Sequence, residues 1–357
     1  MKAIDDLVRQ PGAWLDVSGG AGAVVSSRVR LARNIDRRPF PGWAGEEESL
    51  RVWNEMTALL AGLPALNSHL VAEMPSLTRV DREVLVERHI ISRELAEKNA
   101  GSGVVFRRDE SISVMVNEED HLRIQAMRPG LDLEGLWRTV DALDTEIERS
   151  VTYAFSPRLG YLTACPTNVG TGIRASVMMH LPGLVLMNEI GPVIKGIGKI
   201  GLAVRGLWGE GTEAAGNMFQ LSNQTTLGEK EETLISRLAQ IVTEVGEHEA
   251  NARARMMQQK EASLRNHIGR AYGILMHAYM LSSKETLDML SALRLGVEME
   301  LLGDWKVADV NALFLSVQPG HLQKAGGKAM GSDKRDFARA RTVRERLAAI
   351  RSGRGGK

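Results

Sequence analysis

Three short runs with strand character, residues 103–107, 111–116 and 122–127, follow one another within 25 positions. Alternating and β-branched side chains give each run its strand reading, and a turn over 108–110 joins the first two. Any fold open to this chain must therefore contain sheet in its first half. Between the second and third runs lies Val116-Asn117-Glu118-Glu119-Asp120-His121-Leu122-Arg123. It delivers two glutamates, an aspartate, a histidine and an arginine within six positions. Such a cluster is costly to place at a strand end, and on this stretch alone a solvated surface loop explains the charge as well as a site does.

The 357 residues suffice for a large core and for two domains. Hydrophobic content of 43% and charged content of 25% are those of a soluble globular protein. Without an eighteen-residue apolar run or a charged-then-apolar leader, the expectation is a cytoplasmic protein with no membrane partner. The single cysteine, Cys165, excludes an internal disulfide framework and any C-x-x-C metal or redox site. A net charge of +1 gives no reason to expect nucleic acid. The distribution is uneven, at −8 over residues 1–250 and +9 over 251–357.

Upstream, Gly19 to Ala23 leads into Val24-Val25-Ser26-Ser27-Arg28-Val29-Arg30-Leu31-Ala32-Arg33. Read as a strand, its two-residue period puts Arg28 and Arg30 on one face, as a pair of edge arginines or as part of a site. Residues 46–60 have apolar positions at helical spacing with three acids in the first turn, which suits the helix dipole. A second helix is expected over 77–91. It ends in Glu87-Arg88-His89, which pattern alone does not assign. Residues 132–149 form an amphipathic helix. A strand then runs into Cys165-Pro166-Thr167-Asn168-Val169-Gly170-Thr171-Gly172-Ile173-Arg174, a strand-end loop of a composition that often carries chemistry. Further strands are expected over 173–181, 201–206 (with Arg205) and 217–221, the middle one followed by Gly206-Leu207-Trp208-Gly209-Glu210-Gly211. A long helix over 229–257 closes the first domain. Beyond it only helices are expected: 262–281, a segment opened by the capping box Ser282-Ser283-Lys284-Glu285, 309–317 and the basic 333–350. The glycine-rich 325–331 is read as a flexible joint.

Taken together, S-S-R-V-R, N-E-E-D-H-L-R, C-P-T-N-V-G-T-G-I-R and R-G-x-x-G-E resemble the guanidino kinases, the phosphagen kinase fold. The resemblance implies an α+β architecture: a catalytic domain over 1–257, with an antiparallel sheet flanked by helices, followed by an all-α domain over 258–357. No P-loop and no H-R-D or D-F-G set is present. Phosphates then need another cradle, and planar guanidinium forks can supply it. By resemblance the nucleotide contacts are Arg28, Arg30, Arg123, Arg174 and Arg205. Glu118 stands near Mg²⁺ through water, His89 is a further candidate, and the metal rides on ATP phosphates with no direct protein ligand. The acceptor guanidinium is protonated, with a pKa above about 12, so it must be held and relieved of a proton, work the resemblance gives to Glu119 and Glu210. Cys165, otherwise a small buried hydrophobe, is expected as a thiolate beside the acceptor.

Only 25 residues precede Ser26, where the metabolite-specific branch carries a helical domain that encloses its small substrate. Met178 stands where that branch usually has histidine. With R-A-S-V-M-M-H-L-P-G-L and L-S-N-Q-T-T-L-G-E-K-E-E, this layout is similar to the McsB-type bacterial protein arginine kinases. The expectation is ATP-dependent phosphorylation of exposed arginines in protein substrates. The resemblance also implies a homodimer and a role in marking proteins for a Clp-type protease under stress, and it leaves open whether an activator protein is required. Arg335-Asp336-Phe337-Ala338-Arg339-Ala340 fits R-D-x-x-R-A, an allosteric phosphoarginine pocket built on Arg335, Asp336, Arg339 and Ala340. Arg335 and Arg339, four apart on a helix, share a face, as they also would on a merely solvated basic helix. The alternatives are a kinase for a small guanidino metabolite and a catalytically silent phosphoarginine-binding adaptor.

Overall fold

The computed structural model describes residues 2–15, 22–206, 214–303 and 305–352. In chain order the first elements are α1 (Lys2–Arg9), β1 (Val24–Arg33), α2 (Glu46–Ala61), β2 (His69–Glu73), α3 (Arg79–Glu87), α4 (Arg93–Ala96), β3 (Gly103–Arg107), β4 (Ile112–Val116), β5 (Leu122–Pro129) and α5 (Leu133–Glu148). There follow β6 (Phe155–Ser156), β7 (Gly160–Tyr161), β8 (Ile173–His180), α6 (Pro182–Leu186), α7 (Ile190–Lys199), β9 (Leu202–Gly206) and β10 (Met218–Asn223). The rest is helical: α8 (Glu231–His277), α9 (Ser283–Glu298), α10 (Val307–Ser316), α11 (Pro319–Ala325) and α12 (Ser332–Ser352). None of the described helices is long and apolar enough to cross a membrane.

The chain packs as two compact units. One holds Ser26–Val177 and Ser222–Gln240; the other holds Ile4–Val25, Met178–Leu221 and everything from Ile241 on. In the first unit the strands lie in the order β2-β3-β4-β5-β1-β8, antiparallel at each junction from β2 to β1. All residues of β4, and all but Arg107 of β3, are buried, the continuous burial of strands covered on both faces. Gly103 shows how tightly α2 lies on them. A Cβ there would meet the Ala72 carbonyl oxygen at 2.5 Å and the Trp53 ring at 2.6 Å. Helix α3 starts on a reciprocal cap in which Thr78 accepts from the Asp81 amide and Asp81 accepts from the Thr78 amide.

In the second unit the ends of β8 and β10 precede β9 in the order β8-β10-β9. Its helical part has a core cluster of Met256, Leu264, Ile268 and Leu295. Ser282 caps α9 by accepting from the Glu285 amide, as its sequence anticipates. The helices read as 229–257 and 262–281 lie end to end within α8, parted by a kink at Lys260 (φ −138°, ψ 28°) that falls between the two expected ranges. One expectation changes. The 325–331 stretch is less free than its glycines suggest, because Gln323 Oε1 accepts from the Met330 amide at 3.0 Å.

Candidate active site

Strand register assembles the arginines. Arg28 and Arg30 alternate on β1, and Ala32 two positions on is paired with Arg123 of β5. Cross-strand partners share a face in an antiparallel pair, so Arg28, Arg30 and Arg123 point the same way. Arg174, second residue of β8, belongs to the same electrostatic group. Burial first, then Arg123 and Arg174, pulls the Arg28 guanidinium down to about 10. Burial, Arg28, Arg123 and Arg174 press on Arg30 still harder, with Glu118 opposing. Both side chains keep some accessible surface, and a guanidinium stays charged at neutral pH. The depression reflects burial first and the mutual repulsion of gathered guanidinium groups second, and an incoming polyanion would oppose that repulsion.

His89 lies in the same field. Burial, with Arg28 and Arg30 adding to it, holds its imidazole down to about 3, so it is neutral at physiological pH. Its backbone is in the left-handed region (φ 59°), uncommon for a non-glycine residue. Gln125 holds it there by donating to the His89 carbonyl at 2.7 Å. Arg88 is a separate matter: it is buried and forks onto Glu110, with Nε to Oε1 at 2.7 Å. That pairing makes it part of the scaffold around the β3–β4 turn.

The acidic loop divides into site and support. Asn117 adopts φ 55° and donates to the Ser49 and Gly101 carbonyls, which fixes the loop to the start of α2. Arg123 Nη1 donates to Glu118 Oε1 at 2.6 Å and Nη2 to Glu119 Oε2 at 3.2 Å. Glu118 is buried and also accepts from Ser92 Oγ and from the Glu119 amide. Glu119 is 43% exposed. Desolvation raises its pKa, and Asp120, Glu118 and Glu94 add to the rise against the pull of Arg123. Asp120 is structural: its Oδ1 accepts from Asn34 Nδ2 and from the Ala164 amide, both at 2.6 Å. Through that single carboxylate the segment leading to Cys165 is tied to the glutamate loop. It is strand only over Gly160–Tyr161 and not up to Cys165 as the sequence suggests, because the Ala164 amide bonds to Asp120 rather than to a neighbouring strand. Thr163 Oγ1 then donates to the Cys165 carbonyl at 2.8 Å, and Cys165 Sγ lies 3.0 Å from Thr167 Oγ1.

These groups border a cleft of about 710 Å³ lined by, among others, Arg30, Trp43, Glu94, Glu118, Glu119 and Arg123. Thr163 and Ala164, just before Cys165, also line it. The sequence motifs thus place Arg28, Arg30, Arg123, Arg174, Glu118, Glu119, His89 and Cys165 in the first unit. Arg205 is exposed on β9 of the second, and Glu210 lies outside the described residues. Motif reading missed Ser92, Asn34 and Gln125, whose one-letter context is unremarkable, and Trp43, an aromatic in a turn of otherwise small residues. Among the described residues no group of three or more His, Cys, Asp or Glu could hold a metal ion. Both Glu118 oxygens already accept hydrogen bonds, which suits contact with a nucleotide-borne cation through water rather than direct ligation.

The R-D-x-x-R-A residues lie on α12 in the second unit. Arg339 is buried and donates from Nε to the Val317 carbonyl at 3.0 Å and from Nη1 to the Leu281 carbonyl at 2.8 Å, besides pairing with Asp336. Ala340 is fully buried. Arg335 is half-buried and donates to the Met330 carbonyl at 2.9 Å.

Known proteins resemble the chain over most of its length. Residues 51–252 match the model of the ATP:guanido phosphotransferase C-terminal catalytic domain, and residues 261–355 that of the protein-arginine kinase McsB C-terminal domain. A protein-arginine kinase of Halothermothrix orenii is 44% identical, over 91% of this chain and 93% of its own. One from Moorella thermoacetica is 44% identical, over 94% and 97%. Among solved structures, lombricine kinase shares 25% identity over 70% of this chain and 76% of its own, with a TM-score of 0.57. The duplicated taurocyamine kinase of Schistosoma mansoni has the same fold, with a TM-score of 0.59 at 24% identity over 78% of this chain. The match spans 43% of the taurocyamine kinase. The chain belongs to the ATP:guanido phosphotransferase family, in the group of the protein-arginine kinases.

Proposed function

We propose that this protein transfers the γ-phosphoryl group of ATP to arginine side chains of proteins. The observation that carries the reading is the gathering of Arg28, Arg30, Arg123 and Arg174, near enough that their charges act on Arg28 and Arg30, beside the partly exposed Glu119, whose carboxyl pKa is raised. Gathered guanidinium forks suit the polyphosphate and the loosely bonded phosphoryl group in flight. Mg²⁺ on the nucleotide would offset phosphate charge, with Glu118 reaching it through water. Neutral His89 adds a polar contact beneath the clamp without competing charge.

Glu119 holds the acceptor guanidinium in line. As the N–P bond forms and the Pγ–O bond to ADP breaks, a proton leaves the guanidino nitrogen for a carboxylate. The R-G-x-x-G-E motif alone supports Arg205 as a further phosphate contact and Glu210 as the second carboxylate. Cys165 supports the acceptor through its sulfur. We extend the reading to catalytic and regulatory domains meeting at 257/258, a cytoplasmic homodimer, and a phosphoarginine-responsive site on Arg335, Asp336, Arg339 and Ala340. An activator protein and delivery of marked substrates to a Clp-type protease under stress complete it.

The test is a side-by-side assay with Mg·ATP and either a basic protein or free arginine and creatine, read by mass spectrometry without acid, which cleaves the P–N bond. Phosphate is expected on arginine side chains of the protein. Phosphate on a free metabolite alone, or on neither, overturns the reading.

A further inference from the structure

The cleft at Glu119 has a wall that phosphoryl transfer does not use. Phe40, Gly42 and Trp43 form it from the segment after β1, together with Glu94 and Lys98 from α4 and just beyond it. Trp43 is 89% exposed, the highest exposure among the described large apolar side chains. An indole left so open on a disordered tip would mean little, but this turn is fastened. The Trp43 and Ala44 amides both donate to the Phe40 carbonyl, at 2.8 and 2.9 Å. The Phe40 ring meets the His121 ring edge-on at 6.2 Å, and His121 Nδ1 accepts from the Ile35 amide at 3.1 Å. Arg38 forks to Glu48 at 3.0 Å and Glu55 at 2.6 Å. The aromatic turn and the Glu118–Glu119 loop are thus held through the same His121.

Charge on the wall complements the aromatic face. Glu94 is exposed on α4, near enough that its charge adds to the proton affinity of Glu119. Arg30 and Arg123 line the cleft at its phosphate side and Lys98 stands on the aromatic wall, so a cationic group is favoured only where it lies between Glu94, Glu119 and the open indole, whose face attracts guanidinium and ammonium groups as well as their alkyl stems. An arginine side chain extended to Glu119 fills only part of about 710 Å³. The remaining wall faces whatever the arginine is attached to.

We propose that Phe40, Trp43 and Glu94 form a docking subsite for the polypeptide flanking the acceptor arginine. Trp43 covers the neighbouring side chain, and Glu94 favours a basic residue there. The proposal rests on the protein-phosphorylating reading above and deepens it from acceptor group to acceptor sequence.

The full chain would be assayed with Mg·ATP and three peptides that differ only in whether lysine, alanine or glutamate adjoins the single arginine. Trp43→Ala is expected to raise the peptide KM about tenfold, with kcat and the KM for ATP within about twofold of wild type. Trp43→Phe should recover most of the loss, which separates an aromatic platform from a structural role. Glu94→Gln should abolish the preference for lysine over glutamate while leaving the alanine peptide's KM in place. Unchanged peptide KM values in Trp43→Ala and Glu94→Gln overturn the subsite and leave the kinase reading standing. Absence of phosphoarginine from wild-type products overturns both.

Discussion

Glu118, Glu119 and Asp120 are adjacent carboxylates that the fold puts to three uses. Glu118 is buried on Arg123 and Ser92, Asp120 stitches Asn34 to Ala164, and Glu119 is left facing the cleft. Only the last is placed to take a proton from an incoming group. Glu119→Gln should therefore lower kcat by about 10²–10⁴-fold, with ATP affinity by calorimetry little changed. The pH dependence follows from the raised pKa of this carboxyl. A base must be ionised, so kcat/KM falls as pH drops through the Glu119 pKa, above the ordinary carboxylate value of about 4.3. That acidic limb should vanish from the residual activity of the variant; a limb that stays in place assigns it to another group. The cluster itself was visible in the sequence. Its division was not, because each role depends on a partner far along the chain: Asn34 and Ala164 for Asp120, Ser92 for Glu118.

At the scale of elements, strand-like and helical patterns located β1, β3 to β5, β8 to β10 and the longer helices to within a few residues, the helices through the one face that each buries and β3 and β4 through short apolar runs buried on both faces. Patterning failed where an element is short: the four-residue α4 has too few positions for a period. In α8 the kink at Lys260 falls between the two helices that the pattern separates. Glycines carry the same lesson at the contacts between elements. Gly103→Ala forces a Cβ into the Ala72 carbonyl and the Trp53 ring, and should cost about 1–3 kcal/mol. Gly246→Ala, within α8 where a Cβ meets nothing within 4 Å, should instead gain about 0.5–1 kcal/mol. Urea titration reads both as opposite shifts in midpoint with the slope preserved. A gain at Gly103→Ala would mean that the approach of α2 to β3 is not what fixes residue 103, and a loss at Gly246→Ala would mean that helix propensity does not govern residue 246.

For the whole molecule, the change of composition after Gln258 and the packing of the chain do not divide it at the same place. Residues 4–25 and 178–221, early in sequence, pack in one unit with the C-terminal helices. Asn311 donates to the Leu15 carbonyl at 3.1 Å, Lys324 pairs with Asp5 at 2.8 Å, and the Gly216 amide donates to Asp288 at 2.9 Å. Beneath these, His180 Nε2 lies 2.8 Å from Ser291 Oγ, and Glu298 gathers Arg253 and Arg294 in a buried ionic group. Cutting after residue 257 keeps His180, Arg253 and Glu249 but removes Glu298 and Arg294. Breaking a buried pair by removing one partner costs about 3–5 kcal/mol, and the bared core adds to that. Sequence reading sees the start of the helical domain because composition shifts there, but not what it holds, because these contacts join residues far apart in the chain, Asn311 to Leu15 and Lys324 to Asp5 among them. A fragment of residues 1–257 should therefore melt well below the full chain, or without a cooperative transition, in calorimetry and near-ultraviolet circular dichroism. A fragment melting as sharply and as high as its parent would mean that the early segments need no C-terminal helices to fold.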